Sequence, residues 1–207
     1  MKIKNIKSLA LSILGGFTFS VAVAQTSDIS FNLAPVLFSN YSLNYSFNFA
    51  DNMSVGTVVG YQNLKVTATS TGGASESIGY GGFYIAPEFR YYFNPTRNDN
   101  DGFYLGGYTK FRRMGSTGDS YESIDINGDV KKYDQKNTGL SAGLLFGRQW
   151  VTDFGLFFNT WSGIGYFLYD KTTYTNNYAP DNSVVVTTSL PSLDFRLGVN
   201  IGYRIGN

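Results

Sequence analysis

The chain has 207 residues, 16 Lys plus Arg against 15 Asp plus Glu, and neither cysteine nor histidine. Those absences remove disulfides, zinc–thiolate sites and the Ser–His and Cys–His pairs that serve most hydrolases. A net charge of +1 gives no basic balance that would point to nucleic acid.

The N-terminus carries its own signal. Lys2, Lys4 and Lys7 precede a short apolar run from Leu9 to Val23, and Ala22-Val23-Ala24 is a small-x-small cleavage site. The run is interrupted by Gly15, Gly16 and Ser20, which suits a cleaved signal peptide over residues 1–24 better than a membrane anchor. The domain is then expected over residues 25–207, and without the three lysines its formal charge falls to about −2. No later stretch has the roughly eighteen consecutive apolar residues of a transmembrane helix.

Period-two alternation dominates the remainder of the chain. The first segment, Ile29–Phe38, sets Ile29, Phe31 and Leu33 opposite Ser30 and Asn32. In the second, Tyr41, Leu43, Tyr45, Phe47 and Phe49 alternate with Ser42, Asn44, Ser46 and Asn48, and Asp51-Asn52 reads as a tight turn. The third, Met53–Val66, carries Gly56 and Gly60 on its less apolar face, and a polar loop is expected over about Thr67 to Ser77. The fourth, Ile78–Phe93, sets Phe83, Ile85, Phe89, Tyr91 and Phe93 against Tyr84, Glu88, Arg90 and Tyr92. Pro87 lacks a ladder donor, so a bulge or local defect is expected there.

The fifth segment, Gly102–Arg113, places Phe103, Leu105 and Phe111 opposite Tyr104, Tyr108, Lys110 and Arg112. A long hydrophilic stretch comes next, in which Asn127-Gly128 marks a hairpin with arms Tyr121/Ser123/Asp125 and Asp129/Lys131/Tyr133. The sixth segment, Thr138–Val151, turns at Thr152-Asp153 into a seventh, Phe154–Tyr169, whose two faces both carry aromatics. A polar stretch from Asp170 leads to the last segment, Ser192–Ile205. There Leu193, Phe195, Leu197, Val199, Ile201, Tyr203 and Ile205 oppose Ser192, Asp194, Arg196, Gly198, Asn200, Gly202 and Arg204.

Eight such segments, joined alternately by short turns and longer loops, predict an all-β fold: an eight-stranded antiparallel up-and-down transmembrane β-barrel. The link from the first segment to the second is the exception, being short where a loop is expected. Apolar residues would face lipid and polar residues a narrow interior that side chains fill. Its charges are expected to be Glu88, Arg90, Lys110, Arg112, Asp194, Arg196 and Arg204, with Glu88 meeting Lys110 or another lumenal base, because an unpaired buried charge is costly. An ion-conducting path is the alternative use of the same residues. Tyr41, Tyr91, Phe93, Trp150 and Tyr203 are expected in interfacial girdles, stacking of a ligand being the alternative.

No catalytic residue, cofactor or metal site is expected. Asp119, Glu122, Asp125, Asn127 and Asp129 offer oxygen ligands, but the EF-hand spacing fails and a solvated hairpin fits better.

On these residues the chain resembles small eight-stranded outer-membrane barrels of Gram-negative bacteria, the OmpA membrane domain and OmpX type. It is similar, more closely, to an uncharacterised outer-membrane barrel family, through GFYIAPEFRYYF (Gly82 to Phe93), GFYLGGYTKFR (Gly102 to Arg112) and LLFGRQWV (Leu144 to Val151). The resemblance implies membrane lipid as a partner, periplasmic termini and a structural or interaction role through extracellular loops or beside a larger assembly. The end of the chain, with Arg196, Gly198, Ile201 and Tyr203, resembles the signal read by the barrel-assembly machinery, although the chain runs on to Asn207 instead of stopping at an aromatic residue. Two other readings are a narrow transport or ligand-binding barrel and a soluble periplasmic lipocalin-like barrel, which would reverse the polarity of the two faces. No nucleic acid partner is expected.

Overall fold

The structure, a computed structural model, describes residues 26–34, 36, 39–69, 75–93, 100–118, 121–124, 130–176, 184–187 and 192–206. The signal peptide over residues 1–24, the Asn127-Gly128 turn and the oxygen ligands Asp119, Asp125 and Asp129 lie outside them. The strands are β1 (Thr26–Asn32), β2 (Asn40–Ala50), β3 (Met53–Thr69), β4 (Ser75–Phe93), β5 (Gly102–Gly118), β6 (Tyr121–Ile124), β7 (Val130–Val151), β8 (Leu156–Asn176), β9 (Val184–Thr187) and β10 (Leu193–Ile205). All pairings are antiparallel. β1 to β5, β7, β8 and β10 form the wall, which β1 closes against β10 from Ser27↔Ile205 to Asn32↔Asn200. The short β6 and β9 extend β7 and β8 beyond it.

The alternation becomes two surfaces. Outward side chains of β10 are strongly exposed, Phe195 at 69% and Leu197 at 71%, whereas Asp194, Arg196, Asn200 and Arg204 are buried. The same holds on β4, where Phe83, Ile85, Phe89, Tyr91 and Phe93 point out and Glu88, Arg90 and Tyr92 point in. A soluble lipocalin-like barrel needs the opposite polarity. The apolar exterior suits hydrocarbon, and closure leaves the wall few unpaired backbone groups to desolvate.

One end of the barrel has tight connections. Asp51-Asn52 links β2 to β3, and Thr152–Gly155 links β7 to β8 with Gly155 at φ 87°. Asn100, just before β5 and buried at φ 48°, donates its backbone N–H to the Asp51 carbonyl at 3.2 Å and so ties the entry to β5 to the β2–β3 turn; asparagine tolerates this left-handed backbone better than most residues. Tyr91, Phe93, Phe103, Trp150 and Tyr203 are exposed on the outer wall near this end. Tyr41, Tyr61, Phe83 and Tyr166 lie toward the other. The five rings expected in girdles thus divide between the two ends of the outer wall, and ring contacts near them include Trp150–Phe158 at 5.7 Å and Tyr61–Phe83 at 4.9 Å.

The long-loop end departs from expectation. β7 spans 22 residues and β8 spans 21. At about 3.3 Å per residue and a tilt near 45°, β7 rises about 50 Å, twice an apolar band about 25 Å tall. Residues 114–118, 134–137 and 170–176, which read as loop, are strand, because the ladder continues where the sequence is polar and no alternation marks it; residues 121–124 and 130–133 pair as the expected hairpin arms, from Tyr121↔Tyr133 to Ile124↔Val130. The polar stretch after the third segment shortens for the same reason: β3 and β4 pair as far as Thr69↔Ser75. The first strand, by contrast, ends at Asn32 rather than Phe38. Leu33 donates to the Val199 carbonyl at 2.7 Å, and the chain then turns through Val36 N–H to Leu33 O at 3.2 Å and Ser39 at φ 53°.

Two irregularities explain local ambiguities. At Pro87 the β4–β5 ladder loses the pairs between Ile85↔Phe111 and Glu88↔Tyr108 without changing register, a defect and not a bulge. On β8 the register shifts so that Leu140 pairs Tyr169 and Ser141 pairs Phe167, leaving Leu168 as an extra residue. Phe157, Trp161 and Phe167 share one parity and point in, while Phe158 and Tyr166 point out, so both faces of the seventh segment carry rings; past Leu168 the parity flips and Tyr169 points out as well.

Candidate functional site: the lumenal ion-pair core

Rings, amides and charges project into the lumen in tiers from one end to the other. Inward rings lie across from glycine on the neighbouring strand: Tyr84 opposite Gly60, Tyr104 opposite Gly147, Tyr108 opposite Gly143, Phe157 opposite Gly202 and Trp161 opposite Gly198. A Cβ at any of these glycines would collide with the ring. The glycines thus give the aromatics room to lie flat along the inner wall.

At the short-turn end, Arg204 on β10 grips Asp28 on β1 with Nε at 2.7 Å and Nη2 at 2.9 Å. Gln149 Nε2 adds a third donor to Asp28 at 3.0 Å, and its Oε1 accepts the Tyr92 hydroxyl at 3.4 Å. Halfway up, Glu88 Oε2 takes Arg90 Nη2 at 2.8 Å, while Glu88 Oε1 lies 3.1 Å from Arg196 Nη1 in an ion pair not aligned as a hydrogen bond. Arg90 lies over Tyr104 at 5.0 Å, and Arg196 lies between Tyr108 at 4.5 Å and Trp161 at 5.0 Å. Tyr104 donates to Asn159 at 3.2 Å and Trp161 to Asn200 at 3.3 Å.

Above this tier, Asp194 accepts Lys110 Nζ at 2.8 Å, Ser141 Oγ at 2.7 Å and the Tyr108 hydroxyl at 3.1 Å. Lys110 lies 5.5 Å from the centre of the Tyr84 ring, whose hydroxyl donates to Asn40 at 3.2 Å. At the long-loop end, Arg112 meets Asp170 at 3.2 Å and covers Phe167 at 4.1 Å, and Asn137 bridges Asp170 and Thr172.

All seven lumenal charges expected from the sequence face inward and are ion-paired. Of the two expected options for Glu88, the structure takes the second: it meets other lumenal bases, Arg90 and Arg196, while Lys110 pairs with Asp194. Two carboxylates escaped the sequence reading. Asp28 was reachable by running the first alternation back from Ser30, since Asp28, Ser30 and Asn32 share a parity. Asp170 was hidden by the extra residue at Leu168. Among the described residues, no cluster of three or more acidic side chains could hold a metal. Of the expected assembly-signal residues, Ile201 and Tyr203 face out and Gly198 lies against Trp161 inside the wall.

Comparison with known proteins bears on this geometry. Residues 9–203 match the family described as "Protein of unknown function (DUF3575)". No curated protein matches the chain. Among solved structures, the fold is similar to that of a major outer membrane protein from Thermus thermophilus, known from a crystal structure. That match has a TM-score of 0.53 at 11% identity, covering 89% of this chain and 100% of that one. At that identity the likeness is one of fold. By its family match over nearly its whole length, the chain belongs to DUF3575, with the fold of a closed eight-stranded barrel.

Proposed function

We propose that this is an integral barrel of the bacterial outer membrane, with its side-chain-filled lumen serving rigidity and its long-loop end serving interaction. The observation that carries this reading is the inverted polarity: an exposed apolar wall around buried, ion-paired charges. The likeness of fold to an outer-membrane protein, and the resemblance of the sequence to the OmpA membrane domain and OmpX type, support the same location. In this reading Thr26, Gly206 and the short turns lie on the periplasmic side, following the usual asymmetry of such barrels. Arg196, Gly198, Ile201 and Tyr203 are read by the assembly machinery during insertion. The β5–β7 extensions and the β6 hairpin reach out from the cell as the contact surface for a protein partner or a larger outer-membrane assembly. The protein is not an enzyme.

Protease added to intact cells tests orientation and location together. Cleavage within 115–137, with the rest of the chain protected in the outer-membrane fraction, is the expected result. Protection of that segment in cells whose other surface loops are cut would reverse the orientation. Deletion of residues 115–137 is expected to leave a folded barrel and abolish capture of its surface partner.

A further inference from the structure

We propose that the upper lumen is a binding site for the anionic head of a single-chain amphiphile, whose acyl tail leaves through the barrel wall between β10 and β2. Three observations lead there.

The first is a break in the wall. β1 has seven residues and rises only about 16 Å at the usual tilt, less than an apolar band about 25 Å tall. β10 pairs with β1 only from Asn200 to Ile205, and the seam ends where Asn32 Oδ1 accepts Val199 N–H at 3.0 Å. Above it, Leu193–Gly198 of β10 have no ladder partner on that side among the described residues, nor do Asn40–Ser42 of β2. An unpaired strand edge at hydrocarbon depth is disfavoured unless it lines a cavity.

The second is such a cavity. It has a volume of about 360 Å³, and its lining includes Ser42, Lys110, Trp161 and Arg196 from inside the barrel together with Phe195 and Leu197 from the outer wall. One space is thus bordered by lumenal cations and by two of the most lipid-exposed side chains in the protein. It is large enough for a small ligand. The joint lining of polar interior and apolar rim fits a molecule with the same division.

The third is unmet charge and hydrogen bonding. Arg90, Lys110, Arg112, Arg196 and Arg204 face four lumenal carboxylates, Asp28, Glu88, Asp170 and Asp194, among the described residues. Lys110, Arg112 and Arg204 each have a carboxylate to themselves. Glu88 is shared by Arg90 and Arg196, leaving one positive charge uncompensated. The shortfall falls on Arg196: Arg90 takes the 2.8 Å hydrogen bond, while Arg196, 8% exposed, makes no hydrogen bond to a described residue. The centre of its guanidinium lies 4.5 Å from the Tyr108 ring and 5.0 Å from the Trp161 ring, and its buried Nη1 has no hydrogen-bond partner among the described residues. Ser42 Oγ, on the cavity wall and buried, also lacks a partner. A carboxylate or monoester phosphate on an acyl chain would supply both the charge and the acceptors, its chain passing over Phe195 and Leu197 into the bilayer. This site goes beyond the closed barrel proposed above and requires no passage through the short-turn half.

The experiment uses Trp161 as reporter. The chain has two tryptophans, so Trp150→Phe leaves only the one in the cavity. The refolded full-length barrel in neutral detergent is titrated with stearate carrying a nitroxide near the carboxylate. Saturable quenching of Trp161, reversed by unlabelled palmitate or by lysophosphatidic acid, is expected; whichever competitor acts at lower concentration identifies the head group as carboxylate or phosphate. The labelled methyl ester is expected to quench only weakly and without saturation. Arg196→Gln should raise the half-saturating concentration about tenfold or more, the scale of one charge-assisted hydrogen bond. Ser42→Phe, which fills the cavity and leaves every ion pair in place, should abolish saturable quenching even if the Arg196 variant fails to refold. Non-saturable quenching, equal quenching by the ester, or unchanged quenching in either folded variant would overturn the proposal.

Discussion

The two ends of the lumen use the same residue types and reach different states. Near the short turns, Asp28 and Arg204 make two hydrogen bonds with side chains 3% and 5% exposed, and Gln149 takes a further lone pair of the carboxylate. Near the long loops, Arg112 and Asp170 make one contact at 3.2 Å, with side chains 27% and 13% exposed. The difference follows from where the strands stop. At the short-turn end all eight wall strands are present, so the charges are dry and must be satisfied. At the other end β1 drops out early while β7 and β8 continue, so water reaches the same kind of pair. A buried pair punishes loss of one partner, whereas a wet pair contributes little.

This contrast can be broken from the dry end first. Asp28→Ala removes the carboxylate that Arg204 grips in the seam between the first and last strands and is expected to cost about 3–5 kcal/mol, read as urea unfolding of the barrel in lipid vesicles. A loss below about 1 kcal/mol would mean that water already enters the seam, as for an exposed pair. Gly147→Val comes next. Its side chain would press on Tyr104 and on the Thr160 carbonyl, and overpacking of this kind costs about 1–3 kcal/mol. If stability is unchanged, the rings are loosely held and the inner wall is not close-packed. Ser141→Ala removes one of three donors to Asp194 and should cost about 1 kcal/mol, because Lys110 and Tyr108 remain. The smallest effect belongs to the wet end: Arg112→Ala should change stability by less than about 1 kcal/mol, and the change should shrink further in high salt. An effect as large as that of Asp28→Ala would erase the distinction between the ends.

How much of this was legible in the sequence follows the same division. Wherever one face of a strand meets hydrocarbon and the other a packed lumen, as at Tyr41–Phe49 or Leu193–Ile205, the two environments impose a strict period of two. There the faces, the turns at Asp51 and Thr152 and the inward charges could all be read. Where strands run on past the apolar band, residues 134–137 and 170–176 carry no alternation and look like loop, and only the Asn127-Gly128 signal marked the arms of the β6–β7 hairpin. Leu168 shows a second limit, since a single extra residue flips the face of everything beyond it and hid Asp170. The end of β1 shows a third. Leu33 continues the outward parity, yet the ladder stops at Asn32, whose side chain caps the Val199 N–H. Pairing partners were the least legible feature. Glu88 and Lys110 lie on neighbouring strands, but the lumen is narrow enough for partners to come from across it, and Asp194 reaches Lys110 that way.

Side chains close this barrel, most firmly at its short-turn end, and planar-bilayer recording of the refolded full-length protein is the decisive measurement. A sealed lumen predicts insertion without steady channel current across the voltage range in which the bilayer itself is stable. A reproducible ohmic conductance that appears with each insertion event and persists would show a continuous water path past Asp28, Arg204 and Glu88, and would contradict the account.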